Sequence, residues 1–329
     1  MKALNFEQIK KLVHGAAYIE EGDGAISFFR FTKEQQELYK TVSQDFYTKC
    51  FATSGISLEF ETDSENLGLS VSVTRGSSRT YFTHSIFVNG ERIGELSGDI
   101  GNTENAKFKK YFKLGVGMKT VCILFPWSVA SSLLGLETDD NAILYPIEKK
   151  RKILMFGDSI TQGYDASSPE LSYAAQISRN LDAEALNKGI AGEQFFARLT
   201  ESGENFFPEL ITVVYGTNDW RHSTREKFEK ECKAFFTNLR KNYPDVKIVA
   251  VTPLWRVDIE NRQEFGEPLR FISNYIKQVC DSIPNTAVID GFDLVPHNTE
   301  LYQTDGVHPI DSGFMHYGRN LLKELIKLI

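Results

Sequence analysis

The chain has 329 residues, enough for one large domain or two ordinary ones. Hydrophobic residues make up 41% and charged residues 25%, a balance that excludes disorder, collagen-like repeats and a coiled-coil rod. The net charge is -7, and neither half has a basic excess: residues 1–149 carry 16 Lys and Arg against 19 Asp and Glu, and residues 150–329 carry 21 against 25. Nucleic acid is therefore not expected as a partner.

The chain has no apolar run of the length that a membrane span needs, so a membrane is not expected as a partner either. Residues 1–15 contain no apolar core of a secretion signal, and we expect a cytoplasmic protein, although a trimmed secreted form would look the same. The four cysteines show no metal-binding or redox spacing. We expect them to be buried free thiols.

The first half alternates apolar and polar residues with the period of half-buried strands. The Asn89-Gly90 pair predicts a tight hairpin between two of these strands. Residues 33–49 are ambiguous, and 33–39 could form a short helix. The predicted strands lie at 56–60, 67–73, 85–88, 91–93, 120–125 and 142–147. Short strands separated by turns favour an antiparallel, jelly-roll-like β-sandwich over residues 1–149.

Beyond the lysine-rich segment 147–152 the pattern changes to strands that alternate with amphipathic helices. The predicted strands lie at 152–156, 210–215, 246–252 and 287–290, with a further strand before residues 187–193. The predicted helices lie at 172–180, 225–242, 263–282 and from about 311 to the end. Such alternation requires crossover connections, and therefore a parallel sheet covered by helices on both faces over residues 150–329.

Unusual residues follow the strands of this second half. Ser159 comes directly after a buried strand, and Gly157 before it relieves crowding on a sharp turn. The hydroxyl of Ser159 is therefore a candidate nucleophile. The alternative is that Asp158, Ser159 and Thr161 only begin a helix, as capping residues do.

Two further strand ends carry candidate donors of hydrogen bonds. Asn218 follows the third strand and could stabilise an oxyanion with its side-chain amide, or form a local turn. Gly192 follows the second strand and would let a ligand approach a backbone N–H, or serve only as a turn residue.

Near the C-terminus, Asp305 and His308 lie three residues apart in one loop. This spacing lets the carboxylate reach the Nδ1 side of the imidazole, and Pro309 restricts the backbone of His308 to extended angles. The alternative is a structural loop with a satisfied histidine. The sequence shows no cluster of metal ligands.

Together, the Gly-Asp-Ser block at 157–159, the glycine after the second strand, the Gly-Thr-Asn-Asp block at 216–219 and the Asp-x-x-His block at 305–308 resemble the SGNH hydrolase (GDSL esterase) superfamily. The blocks occur in the family's order between Gly157 and Pro309. The resemblance implies a flavodoxin-like three-layer α/β/α fold. The G-x-S-x-G elbow of the other common serine-hydrolase fold is absent.

The resemblance also implies roles for these residues. Ser159 would be the nucleophile, His308 the general base and Asp305 the group that orients it. The backbone N–H groups of Ser159 and Gly192 and the amide of Asn218 would form the oxyanion hole. No cofactor or metal is implied. Among the other histidines, only His297 remains a reserve candidate for the base.

A β-sandwich before such a domain is similar to the two-domain carbohydrate acetyl esterases, some of which lack the triad aspartate that this chain keeps. We therefore expect an esterase that removes short acyl groups, most simply acetyl, from a small-molecule or oligosaccharide ester. The candidate pocket residues are Trp220, Arg221, Trp255 and Arg256, because aromatic faces suit sugar rings, although Trp255 could instead pack against the sandwich. Alternatives are a lysophospholipase or thioesterase on the same scaffold, or a non-catalytic sugar-binding protein. The sequence leaves the sugar and the oligomeric state open.

Overall fold

The computed structural model of the protein describes residues 1–260 and 265–329. It divides into two compact units. The first unit comprises Met1–Lys150 with the short segment Ser167–Glu170, and the second comprises Arg151–Ala166 with Leu171–Ile329. Within the described residues, no helix combines the length and the apolar character needed to cross a membrane.

The first unit is built mainly from strands. Its strands are β1 (Lys2–Ala3), β2 (Val13–His14), β3 (Tyr18–Gly22), β4 (Ala25–Phe29), β5 (Ser57–Thr62), β6 (Asn66–Arg75), β7 (Tyr81–Val88), β8 (Glu91–Asp99), β9 (Asn105–Lys113), β10 (Lys119–Leu124), β11 (Val129–Thr138) and β12 (Leu144–Pro146). Its helices are α1 (Phe6–Lys10), α2 (Lys33–Val42) and α3 (Gln44–Cys50). The ambiguous segment 33–49 is therefore helical, and the side chains of Thr32 and Ser43 cap its two helices.

These strands form two antiparallel sheets that share one core. One sheet has the order β3-β4-β11-β6-β9, with β1 on β11, and the other has the order β12-β5-β10-β7-β8, with β2 on β5. Alternate residues of β6, from Leu67 to Val73, are fully buried, and Phe60 and Ile123 of the other sheet belong to the same core. The predicted antiparallel sandwich is confirmed. So is the hairpin, whose Asn89 and Gly90 both have positive φ, 51° and 84°.

The second unit alternates strands and helices. Its strands are β13 (Arg151–Gly157), β14 (Ala183–Gly189), β15 (Leu210–Val214), β16 (Lys247–Val251) and β17 (Thr286–Ile289). Its helices are α4 (Ser159–Gln162), α5 (Tyr173–Asn180), α6 (Thr217–His222), α7 (Arg225–Asn242), α8 (Leu269–Asp281) and α9 (Asp311–Leu325). The prediction of a helix from residue 263 is too long, because α8 begins after Pro268; residues 263 and 264 themselves lie outside the described residues.

The five strands form a parallel sheet with the order β14-β13-β15-β16-β17. This is the 2-1-3-4-5 order of flavodoxin-like folds, so the predicted α/β fold is confirmed. Successive residues of β13 point to opposite faces: Met155 joins a core with Phe314 of α9, and Phe156 packs edge-on against Phe235 of α7 at 5.4 Å. All four cysteines are free thiols, three of them buried and Cys122 only half-buried.

Candidate active site

The three strands that precede the candidate residues end at the same edge of the parallel sheet. Gly157, the last residue of β13, pairs in register with Gly189 of β14 on one side and Val214 of β15 on the other. Ser159, Gly192 and Asn218 each follow within a few residues of these positions. The carboxyl edge at the switch in strand order is where open α/β sheets bind ligands.

Ser159 is the first residue of the short helix α4, and it is buried. The Asp158 carboxylate caps this helix by accepting the Ile160 N–H at 3.0 Å. The helix ends after one turn at Gly163, whose φ of 98° lies in the left-handed region. Asp158 therefore caps the helix, as one alternative predicts, and the Ser159 hydroxyl faces a partner outside the helix.

That partner is His308. Its Nε2 lies 2.7 Å from the Ser159 Oγ, and its Nδ1 lies 2.5 Å from Oδ2 of Asp305. The other carboxylate oxygen of Asp305 accepts the backbone N–H groups of Val307 and His308 at 2.9 and 3.0 Å. The loop thus fixes the carboxylate, and the carboxylate fixes the ring.

The Asp305 carboxylate is ionised in this setting. Its partial burial acts to raise the pKa, but the hydrogen bond to His308 and those from the backbone outweigh burial, so that the pKa of Asp305 lies well below its ordinary value. The ionised carboxylate beside Nδ1 orients the imidazole so that its Nε2 faces Ser159. The Tyr164 ring packs on the imidazole at 5.2 Å and limits its motion.

Asp158, the residue directly before Ser159 in the chain, is a buried ionisable group. Burial raises the pKa of Asp158 to about 6, although the Ile160 N–H and the positive charges of His308 and Arg256 oppose this rise. The carboxylate therefore loses its charge close to neutral pH, which an exposed aspartate would not do.

The loop that carries Gly192 is bound to α4 by side chains that the sequence analysis did not single out. The Gln162 side chain accepts the Ala191 N–H at 2.8 Å, and the Asn187 side chain donates to the Thr161 carbonyl at 2.7 Å. Gly192 itself is exposed and has a φ of 89°. These bonds hold the loop beside the helix that begins with Ser159.

Asn218 lies in α6, after the β15 strand. Its Nδ2 donates to the Glu193 carbonyl at 3.0 Å, so its amide is bound to the residue that follows Gly192. The Glu193 carboxylate in turn accepts the Tyr215 hydroxyl at 2.6 Å and is buried. Sequence reasoning missed Glu193, and its position directly after the loop glycine was the available signal.

Two of the four predicted pocket residues are buried side chains with partners inside the unit. Trp220 is 2% exposed and donates its indole N–H to the Glu267 carbonyl at 2.8 Å. Arg256 is 3% exposed, lies over the Trp220 ring at 5.1 Å and donates to Thr217 beside Asn218. This corrects the prediction for both residues, because a side chain buried in this way supports α6 and does not offer a face to a sugar.

The other two predicted pocket residues retain some exposure. Arg221 is exposed and forms an ion pair with Asp258 at 2.9 Å. Trp255 is half-buried and stacks on His297 at 5.1 Å, and it packs against the core of the second unit. His297 bonds to the Phe292 carbonyl, whereas His308 is the histidine that reaches Ser159.

A second carboxylate lies beside the pair of Asp305 and His308. Asp165, Asp305 and His308 each present one oxygen or ring nitrogen, and these three atoms lie within 4.8 Å of one another. Atoms of these types can also ligate a divalent cation. The sequence analysis missed Asp165 because 140 residues of chain separate it from Asp305.

This parallel sheet, with the four sequence blocks at its carboxyl edge, defines the second unit as an SGNH-type hydrolase domain. Residues 155–314 match the model of the GDSL-like lipase/acylhydrolase family, and this match supports an acyl-ester hydrolase of that type for the second unit. A search of curated protein sequences finds no match.

Solved structures share the fold over nearly the whole chain. The salicylyl-acyltransferase SsfX3 from a tetracycline biosynthetic pathway has a TM-score of 0.80 at 21% identity, covering 96% of this chain and 94% of that one. A Bacteroides ovatus protein described as a GDSL-like lipase has a TM-score of 0.77 at 19% identity, covering 99% of this chain and 97% of that one. A family two carbohydrate esterase from Clostridium thermocellum, in complex with cellohexaose, has a TM-score of 0.68 at 17% identity, covering 96% of this chain and 100% of that one.

Proposed function

We propose that the protein is a serine esterase that hydrolyses short-chain acyl esters of carbohydrates, most simply acetyl esters, through an acyl-enzyme intermediate. The observation that carries the proposal is the continuous chain of contacts from the Asp305 carboxylate through His308 to the Ser159 hydroxyl, at 2.5 and 2.7 Å. These are the distances at which a base can accept a proton from a nucleophile.

In the first half of the reaction, the Ser159 Oγ attacks the ester carbonyl carbon while its proton passes to Nε2 of His308. The tetrahedral intermediate then expels the alcohol, which takes that proton from His308. In the second half, His308 accepts a proton from water, the resulting hydroxide attacks the acyl-serine, and the carboxylic acid leaves as Ser159 regains its proton. Asp305 stays ionised throughout and stabilises the imidazolium.

The negative charge that develops on the carbonyl oxygen needs donors that are in place before the reaction. We assign these to the backbone N–H groups of Ser159 and Gly192 and to the Asn218 amide. The bonds from Gln162 to the Gly192 loop and from Asn218 to Glu193 support this assignment, because they restrict both donors in advance.

Two observations support a small acyl group on a polar alcohol. The exposed side chains beside Asn218 are Arg221 and His222, which suit a hydroxylated substrate better than a long alkyl chain. Carbohydrate esterases, one of them in complex with cellohexaose, share the fold over both units of the chain.

The nucleophile is tested by substitution. Ser159→Ala and His308→Ala should each lower kcat toward para-nitrophenyl acetate by about 10⁶-fold with little change in folding. The matched controls are Ser178→Ala, on α5, and His316→Ala, exposed on α9, and both should keep wild-type turnover. Near-normal turnover by pure Ser159→Ala protein would disprove the mechanism, and a wild-type protein that binds sugars without turnover would indicate a non-catalytic sugar-binding protein.

Acyl size and alcohol type are tested with two substrate series. With nitrophenyl esters, kcat/KM should fall from acetyl to octanoyl, because each methylene that does not fit costs roughly 1–3 kcal/mol. Acetylated sugars should then be hydrolysed more efficiently than acetyl esters of simple alcohols. If octanoyl esters, lysophospholipids or acyl thioesters react faster than acetyl esters, the lipid or thioester alternative replaces the carbohydrate one.

A further inference from the structure

Asp165 is the only one of the three clustered groups that the proposed mechanism does not use. Its carboxylate lies within 4.8 Å both of an oxygen of Asp305 and of a ring nitrogen of His308. At such a separation, in a half-buried setting, the field of a carboxylate acts on an imidazolium with little screening. A second negative charge therefore faces the proposed general base.

The backbone holds Asp165 in this place at a conformational cost. Asp165 has a φ of 66°, in the left-handed region, where aspartate is several-fold more common than most other residues. The residue before it, Tyr164, donates its N–H to the Ser159 carbonyl at 2.9 Å and packs its ring on His308. The residue after it, Ala166, is fully buried and donates to the Gly163 carbonyl at 3.1 Å.

From this placement we propose that Asp165 is a positioning residue for His308, a second carboxylate that stabilises the imidazolium and takes over part of the role of Asp305 when Asp305 is neutralised. This inference rests on the proposed function of Ser159 and His308. It explains why two carboxylates lie side by side next to one imidazole, although they repel each other.

The test is a double-mutant cycle of Asp165→Asn and Asp305→Asn, with a chelator present so that no cation bridges the groups. Asparagine suits both positions, because it tolerates the left-handed backbone at 165 and keeps the oxygen that accepts two backbone N–H groups at 305. Asp182→Asn is the matched control, since Asp182 is also half-buried with a positive φ of 49° but precedes β14 at the opposite edge of the sheet.

Asp165→Asn alone should lower kcat less than about fivefold and leave KM unchanged. Asp305→Asn alone should lower kcat by less than the roughly 10⁴-fold that is typical when a triad aspartate is replaced. In the Asp305→Asn background, the factor by which Asp165→Asn lowers kcat should be at least about ten times larger than it is in the wild type. Equal effects in the two backgrounds would overturn the proposal while leaving the nucleophile assignment intact.

Proton NMR supplies a readout that does not depend on turnover. The low-field resonance of the imidazole N–H should persist in Asp305→Asn and disappear in the double variant. A signal that behaves identically with and without Asp165 in the Asp305→Asn background would also overturn the proposal. If Ser159→Ala keeps its activity, the proposed function fails instead, whatever the cycle shows.

Discussion

Asn218 is held by a single hydrogen bond that fixes the direction of its side-chain amide. Nδ2 carries two hydrogens, and one of them is donated to the Glu193 carbonyl at 3.0 Å. The second hydrogen must then point along one defined direction. In the proposed mechanism the amide would meet the oxyanion without any rearrangement, which is the condition for strong electrostatic stabilisation.

Removal of this donor is therefore expected to affect the chemical step. Asn218→Ala should lower kcat by about 10²–10³-fold with little change in KM, because negative charge develops only in the transition state. Steady-state kinetics on para-nitrophenyl acetate measure both constants. A variant that changes only KM would show that Asn218 binds the ground-state ester.

At the scale of elements, the end of β13 and the start of α4 are packed too closely for any side chain at position 157. A Cβ built on Gly157 would lie 2.0 Å from the Thr161 Oγ1 and 2.9 Å from the Val214 carbonyl oxygen. Gly189 in the neighbouring strand meets α4 just as closely, with 2.3 Å to the Gln162 nitrogen. Both glycines let the helix begin directly against the sheet edge, which is what turns Ser159 toward His308.

Gly157→Ala should separate β13 from α4. We expect a loss of about 1–3 kcal/mol in the free energy of unfolding, because backbone atoms of β15 cannot yield as a flexible side chain would. Urea unfolding measures this loss, and esterase activity should fall with it because Ser159 moves. Gly203→Ala is the control, since its Cβ would have open space up to 3.9 Å; equal stability of the two variants would contradict the packing argument.

Two of the strands that sequence analysis missed, β9 and β11, lie in the first unit, and each was missed for a physical reason. The β9 strand has four lysines at 107, 109, 110 and 113, because it is an edge strand with a mostly solvated side, and its pattern therefore resembles a loop. The β11 strand contains a bulge between Leu133 and Gly135, which shifts the two-residue period halfway along the strand. Local periodicity cannot detect either strand, because their pairing partners are distant in sequence.

At the scale of the whole molecule, the two units contain buried ionisable groups of opposite kinds. In the first unit, complete burial lowers the pKa of His84 to about 3, and its Nε2 bonds to the Ser131 hydroxyl at 2.8 Å. In the second unit, burial raises the pKa of Asp158 to about 6 and that of Asp219 to about 7. Burial favours the neutral form in each case. The neutral form of His84 is the deprotonated one, whereas the neutral form of the two carboxyl groups is the protonated one.

The two units should therefore respond to acid in opposite directions between pH 7.5 and pH 5. Unfolded His84 binds a proton below about pH 6.5 and folded His84 does not, so the first unit should lose about 2 kcal/mol of stability as the pH falls. Folded Asp158 and Asp219 bind protons at a higher pH than their unfolded forms do, so the second unit should gain on the order of 4 kcal/mol.

Hydrogen–deuterium exchange measures these changes, because it reports the protection of β7 and of β15 separately. His84→Phe should flatten the response of the first unit only, and Asp219→Asn should reduce that of the second unit only, where Asp158 still titrates. Parallel changes in both units, or no effect of either variant, would contradict this assignment.

The sequence by itself determined the class of fold, the order of the elements in the second half and the residues of the candidate site. These follow from local features: apolar periodicity, a glycine before Ser159, and the three-residue spacing that lets Asp305 reach His308 within one loop. The tertiary structure alone decided that the imidazole of His308 reaches the Ser159 hydroxyl, that Trp220 and Arg256 are buried against each other, and that Asp165 lies beside His308. Each of these depends on the approach of segments that lie 35 or more residues apart in the chain, which is set by packing of the sheet and its helices and leaves no mark on local sequence periodicity.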